Sequence, residues 1–223
     1  MCGRFAVTLP SDAMALLFAA QPANDLPDTP NFNVCPTNSI AVVTADETGR
    51  RLQPMRWGFL PHWYKAPNAG PLLINARSET LAEKPAFKAA CRARRCLISC
   101  TGFYEWTKDP DGNRLPWYIR RADDAPVVFA GVWQDWMSSE TGEQFRTCAI
   151  VTCGANKAIS LIHHRMPVLL EAKDHPLWLG EEGKGAAVLM KTAADDVLEW
   201  HRVGPAINSN RAKGAALIEP LHA

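Results

Sequence analysis

Between residues 40 and 152 the chain is written in short apolar runs rich in β-branched and aromatic residues, punctuated by Gly and Pro. Ile40-Ala-Val-Val-Thr44 is one run, and Gly49 turns it into a second over 51–57. Residues 95–106, 115–120, 127–133 and 145–152 form four more, with Pro110-Asp-Gly112 as a turn between the first two. Such runs bounded by turn residues predict strands, and 166–170 is β-like as well. Helical spacing is confined to short pieces. One covers 11–20 with Ser11 as N-cap. Another starts at Ser78, breaks at Pro85 and resumes over 87–92, and a third covers 155–162. Further helical pieces are expected near 173–179 and 193–201. Residues 21–38 carry four prolines and must be irregular or extended, and 58–71 form a loop.

Short strands with few, scattered helices predict an α+β fold: a mainly antiparallel, barrel-like β core with peripheral helices, not alternating βαβ units. No repeat, low-complexity segment or linker interrupts the 223 residues, so one domain over 1–223 is expected. Apolar residues make up 47% and charged residues 21%, enough to bury a core of this size without staples. The net charge of +1 gives no global attraction to nucleic acid or membrane, so any basic site is local. No apolar run is long enough to cross a bilayer and no leader pattern precedes the first strand, which predicts a cytoplasmic protein.

The seven cysteines, an odd number, read as free thiols in a reducing compartment. Cys91, Cys96 and Cys100 lack the short knuckle spacing of a zinc site. On one strand Cys96 and Cys100 would stand about 13 Å apart, too far to share an ion. No metal or other cofactor is expected.

Four stretches carry chemistry. Cys2-Gly3-Arg4 follows the initiator methionine. Once Met1 is removed, Cys2 presents an α-amine beside its thiol, and both are partly available near neutral pH. A 1,2-aminothiol has a specific partner, an aldehyde, with which it closes a thiazolidine ring. In Leu73-Ile-Asn-Ala-Arg-Ser-Glu79, Asn75 donates and accepts hydrogen bonds and Arg77 suits phosphate. Thr101-Gly-Phe-Tyr-Glu-Trp106 places Glu105 among aromatic rings, a setting for proton transfer. Ile162-His-His-Arg-Met-Pro167 offers a proton-shuttling His and a phosphate-binding Arg165. Neighbouring histidines on a strand or loop are expected to point to different sides, so only one serves. Trp63 and Tyr64, in the proline-rich loop, are exposed candidates for base stacking.

Six stretches in order resemble the SOS-response-associated peptidase family: Met1-Cys-Gly-Arg-Phe5, Phe32-Asn-Val-Cys-Pro-Thr-Asn38, Met55-Arg-Trp-Gly-Phe-Leu-Pro61, Ile74-Asn-Ala-Arg-Ser-Glu79, Gly102-Phe-Tyr-Glu-Trp106 and His163-x-Arg-Met-Pro167. The resemblance implies a DNA-damage function, in which a covalent crosslink shields abasic sites in single-stranded DNA. It implies that Cys2 supplies amine and thiol and that Asn75 orients the sugar or the Cys2 backbone. Glu105 would move protons, and His163 would assist sugar ring opening. Arg4, Arg77 and Arg165 would hold phosphates, and Trp63, Tyr64 and Trp106 would contact the DNA. His164 fills the variable position of its motif. The resemblance also implies autopeptidase removal of Met1 and an abasic-site lyase side reaction. A monomer associated with the nucleoid is expected. Two other readings use the same sequence: a thiol peptidase acting on other proteins, with Cys2 as nucleophile and His163 as base, and a DNA-binding module in which Cys2 plays no part.

Overall fold

The computed structural model describes residues 2–138 and 140–221. In chain order the elements are β1 (Phe5–Val7), α1 (Ser11–Leu17), β2 (Ala20–Pro22), β3 (Asn31–Val34), β4 (Ser39–Asp46), β5 (Gly49–Trp57), β6 (Asn75–Arg77), α2 (Lys88–Ala93), β7 (Arg95–Cys100), β8 (Gly102–Lys108), β9 (Arg114–Arg121), β10 (Val127–Met137), β11 (Gln144–Gly154), β12 (Arg165–Pro167), α3 (His175–Leu179) and β13 (Leu198–Arg202), with short 3₁₀ turns between them.

Strands β5, β4, β7, β10 and β11 pair antiparallel in that order. β11 then returns to β5 in parallel, Thr147 opposite Arg56 and Cys148 opposite Trp57, and closes a five-strand barrel. Closure removes the exposed edges that an open sheet would carry. β7 has five consecutive buried residues, Cys96 to Cys100. Its inner side chains fill the barrel, and its outer face lies under α3, where Trp178 Nε1 donates to the Cys96 carbonyl at 3.0 Å. Opposite Cys96 stands Gly131 of β10. A Cβ there would sit 2.7 Å from Cys96 Sγ and 3.0 Å from Ile98 Cδ1, so the packing requires the missing side chain.

The second sheet is antiparallel throughout, in the order β13-β9-β8-β1-β3. The chain passes from barrel to sheet at Thr101, between the end of β7 and the start of β8. Gly102 opens β8 against the β9 backbone, and a Cβ on it would lie 2.4 Å from Tyr118 Cζ and 2.7 Å from the Ile119 carbonyl oxygen. The inner face of this sheet packs on the barrel through rings: Phe5 lies 4.8 Å from Trp57, and Phe103 lies 5.7 Å from Phe129, centroid to centroid. The outer face builds a smaller cluster from Ala6, Tyr104, Tyr118, Val203, Ile207 and Leu217.

The barrel-like, mainly antiparallel core agrees with the sequence reading, and several local expectations are corrected. The run 95–106 is two strands, broken at Thr101 where the chain changes sheets. Residues 193–201, expected to be helical, contain β13: Leu198 and Trp200 alternate toward the core and pair with Arg121 and Ile119 of β9. Neither 78–84 nor 155–162 forms an α-helix, and only a 3₁₀ turn, Ile159–Leu161, remains of the latter. α1 stops at Leu17, and its N-cap is Pro10 rather than Ser11, with no side-chain cap bond. β3 emerges from the proline-rich segment because β1 offers it a partner.

Candidate active site

Cys2 is not a frayed terminus. It is fully buried, at 0% exposure, where the start of β1 tucks between the second sheet and the barrel. The Asn75 side chain holds its backbone: Nδ2 donates to the Cys2 carbonyl at 2.9 Å. Asn75 is itself fixed by β6, which lies parallel to β11 with Asn75 opposite Ile150. Asn75 Oδ1 is buried and has no hydrogen-bond partner among the described residues. The Cys2 thiol lies 3.9 Å from the Arg4 carbonyl. Burial pushes this thiol well above the usual thiol range, and the nearby Glu105 carboxylate pushes it the same way. At neutral pH it is a protonated S–H, not a thiolate. Met1, whose removal the sequence reading requires, lies outside the described residues.

Glu105 reaches the site from β8 at 4% exposure. His163 follows the Ile159–Leu161 turn and precedes β12. Burial lowers the His163 pKa below the ordinary imidazole value, while the Glu105 carboxylate opposes the shift. Cys2, Glu105 and His163 are therefore within electrostatic reach of one another. The Arg165 N–H donates to His163 Nδ1 at 3.0 Å. The same Nδ1 lies 3.1 Å from the Arg165 carbonyl oxygen, so the Arg165 backbone engages this ring nitrogen in either tautomer. The adjacent His164 does not point to the other side as expected. Its ring stacks on His163 with centroids 4.4 Å apart, because the segment between turn and strand is not extended.

The expected DNA contacts are more dispersed. Arg77, on β6 opposite Thr152, is exposed. Arg165 grips Glu79 with two nitrogens, at 2.5 and 3.0 Å, and donates to the Thr152 carbonyl at 2.7 Å. Arg4 is committed to Asn33 Oδ1 at 2.6 Å and the Ile207 carbonyl at 3.1 Å. Trp63 is 49% exposed, whereas Tyr64 is half-buried, with its hydroxyl on the Pro71 carbonyl. Trp106 alternates away from Glu105 onto the outer face of the second sheet. There Nε1 donates to Asn208, and the Arg4 and Arg114 guanidiniums lie over the ring at 5.9 and 4.6 Å. The aromatic residue that stands directly opposite Glu105 on the same face is Trp117 of β9. The turn around Asp111 carried that signal in the sequence: Glu105 lies six residues before it and Trp117 six after.

Among the described residues, no group of three or more His, Cys, Asp or Glu is placed to hold a metal ion, and no helix is long and apolar enough to cross a membrane. Cys2 places a thiol at the site, joined by an α-amine once Met1 is removed, and an amide, a carboxylate and an imidazole lie close by.

The family model described as SOS response associated peptidase (SRAP) matches residues 1–210. The abasic site processing protein YoqW of Bacillus subtilis (strain 168) is 34% identical over 226 residues, covering 98% of this chain and 99% of YoqW. The abasic site processing protein YedK of Escherichia coli (strain K12) is 30% identical over 229 residues, covering 99% and 100%. The abasic site processing protein HMCES of Rattus norvegicus is 29% identical over 269 residues, covering 99% of this chain and 76% of HMCES. A crystal structure of a protein from Bacteroides thetaiotaomicron superposes with a TM-score of 0.86 at 22% identity, covering 99% and 100% of the two chains, and shows that the fold is shared.

Proposed function

The chain belongs to the SOS response associated peptidase (SRAP) family, and from that premise we propose that it processes abasic sites in single-stranded DNA by covalent capture on Cys2. The observation that carries the reading is the Cys2–Asn75 bond: a buried aminothiol residue whose backbone is held at 2.9 Å, beside a carboxylate and an imidazole.

The chemistry runs as follows. Hydrolysis of the Met1–Cys2 bond, an autopeptidase step, frees the Cys2 amine. The ring-opened abasic sugar presents its C1′ aldehyde, and the His163 imidazole assists that opening as an acid toward the ring oxygen. The amine adds to the carbonyl carbon, and the carbinolamine loses one water to give the imine. The thiol sulfur then adds to the imine carbon, and its proton passes by way of Glu105 to the imine nitrogen. The product is a thiazolidine, with one water lost overall. Asn75 Oδ1, a buried acceptor, supports a role in receiving a sugar hydroxyl while Nδ2 holds Cys2. At the imine stage the C2′ proton is acidified, and its removal would expel the 3′ phosphate as a lyase side reaction.

A thiol whose pKa is raised above its usual range fits an order in which the amine attacks first and the sulfur closes the ring afterwards. Incubation with an abasic oligonucleotide and denaturing electrophoresis test the proposal. The native protein gives a retarded band, and Cys2→Ala gives none. A native protein with a verified Cys2 terminus that gives no band refutes it.

A further inference from the structure

We propose that Trp117 and Arg202 form a nucleotide-binding subsite beside the reaction centre, for the part of a DNA single strand that continues past the reacting sugar. The inference rests on the capture reading above, and it adds two residues that the motifs leave out.

The register of the second sheet sets the subsite. Trp117 stands directly opposite Glu105, and Arg202 of β13 stands directly opposite Trp117. Directly paired residues project to the same face, so Glu105, Trp117 and Arg202 form one row across β8, β9 and β13. At about 4.8 Å between strands, Trp117 lies one step and Arg202 about 10 Å from Glu105. A stacked strand advances about 3.4 Å per nucleotide, so the row spans the first one to three nucleotides from the captured sugar.

Both side chains are held in place. Trp117 Nε1 donates to Thr107 Oγ1 at 2.9 Å, which fixes the indole along the row. The Arg202 guanidinium lies over the Trp117 ring, 5.2 Å from its centroid, and Nε donates to the Pro116 carbonyl. Both residues are half-buried, so each keeps an accessible part. The two arginines of β9 that pair with β13 are neutralised, Arg120 by Asp124 and Glu199 and Arg121 by Asp123 and Glu171. Among the described residues Arg202 makes no ion pair, and its Nε–H donates to a backbone carbonyl rather than to a carboxylate. An aromatic ring backed by an unneutralised guanidinium is the combination that binds a base and its phosphate in sequence-tolerant single-strand recognition.

The test is equilibrium binding of a labelled oligonucleotide whose abasic position is a tetrahydrofuran, which lacks an aldehyde and cannot crosslink. It therefore reads the subsite independently of Cys2 chemistry. Loss of one base stack predicts a dissociation constant raised by about 5- to 150-fold in Trp117→Leu, with partial recovery in Trp117→Phe. Arg202→Gln, which removes little apolar packing, lowers the slope of log affinity against log salt by about 0.7. Trimming the oligonucleotide to the abasic position on the side that crosses β9 abolishes both effects, and trimming the other side does not. Wild-type affinity in both Trp117→Leu and Arg202→Gln, with an unchanged salt slope, overturns the subsite. Failure of the native protein to crosslink an aldehyde-bearing strand refutes the capture reading and leaves this binding result standing on its own.

Discussion

Removing the Asn75 side chain tests how far the site depends on one positioned carbonyl. In Asn75→Ala the Cys2 carbonyl loses its 2.9 Å donor while Cys2 stays buried at 0% exposure. A buried acceptor left unsatisfied costs about 1–3 kcal/mol, more than the net value of the bond itself. For a chain of this size, each kcal/mol lowers Tm by about 2–4 °C, so the variant melts roughly 2–12 °C lower. If the same energy holds Cys2 in its reactive pose, the crosslinking rate falls by roughly 5- to 150-fold. Asn75→Asp goes further, because it sets a carboxylate oxygen against the carbonyl oxygen where a donor stood. The assay is single-turnover crosslinking to an abasic oligonucleotide, quenched over time and resolved on a denaturing gel, with thermal unfolding followed in parallel. A rate within twofold of wild type in both variants would show that Asn75 does not position Cys2.

Acidification reads the buried imidazoles. His163 and His175 both have pKa values lowered below 6.5 by burial, so the unfolded chain binds the extra protons first. Stability is therefore constant above pH 6.5, falls as pH drops through 6.5, and levels off below the folded-state values. Denaturant unfolding from pH 7.5 to 5.5 shows this decline, and His175→Gln flattens it. Gly131→Ala forces a methyl to 2.7 Å from Cys96 Sγ. It costs about 1–3 kcal/mol of overpacking, and a second change, Cys96→Ala, restores part of the loss in thermal melts. Glu79→Gln releases Arg165 from an ion pair whose acid is half exposed. Stability changes by less than about 1 kcal/mol, and affinity for single-stranded DNA rises with a steeper salt dependence if Arg165 binds phosphate.

The antiparallel half of the fold was legible because its pairing is local. Gly49 and the turn around Asp111 announce the β4–β5 and β8–β9 hairpins, and β-branched runs mark β7, β10 and β11. The parallel contacts that close the barrel were not legible: Thr147 meets Arg56, and Ile150 meets Asn75, across most of a hundred residues of chain. No local pattern encodes a pairing of that span. The 193–201 segment was misread because Leu198 and Trp200 are too few apolar positions to separate a period of two from one of 3.6. At the site, residue chemistry singles out Cys2, Asn75 and Glu105, the family resemblance selects His163 over His164 and implies one shared site, and the fold supplies the geometry. Trp106 beside Glu105 was the obvious aromatic candidate by adjacency. Strand alternation turns it to the opposite face, and counting outward from Asp111 would have singled out Trp117 instead.

The chain's passage from barrel to second sheet at Thr101 has a chemical consequence. Asn75 is anchored on the barrel side, Glu105 on the other sheet, and Cys2 lies in the seam between them. The group of side chains around Cys2 is thus assembled only when both halves are docked. In a chain still folding, or one whose sheets have parted, Cys2 loses the burial and the Glu105 carboxylate that raise its pKa and carries an ordinary exposed thiol. On the proposed reading, the burial of Cys2 also shields it from small metabolic aldehydes, so adventitious condensation is slower with the intact protein than with an unfolded chain.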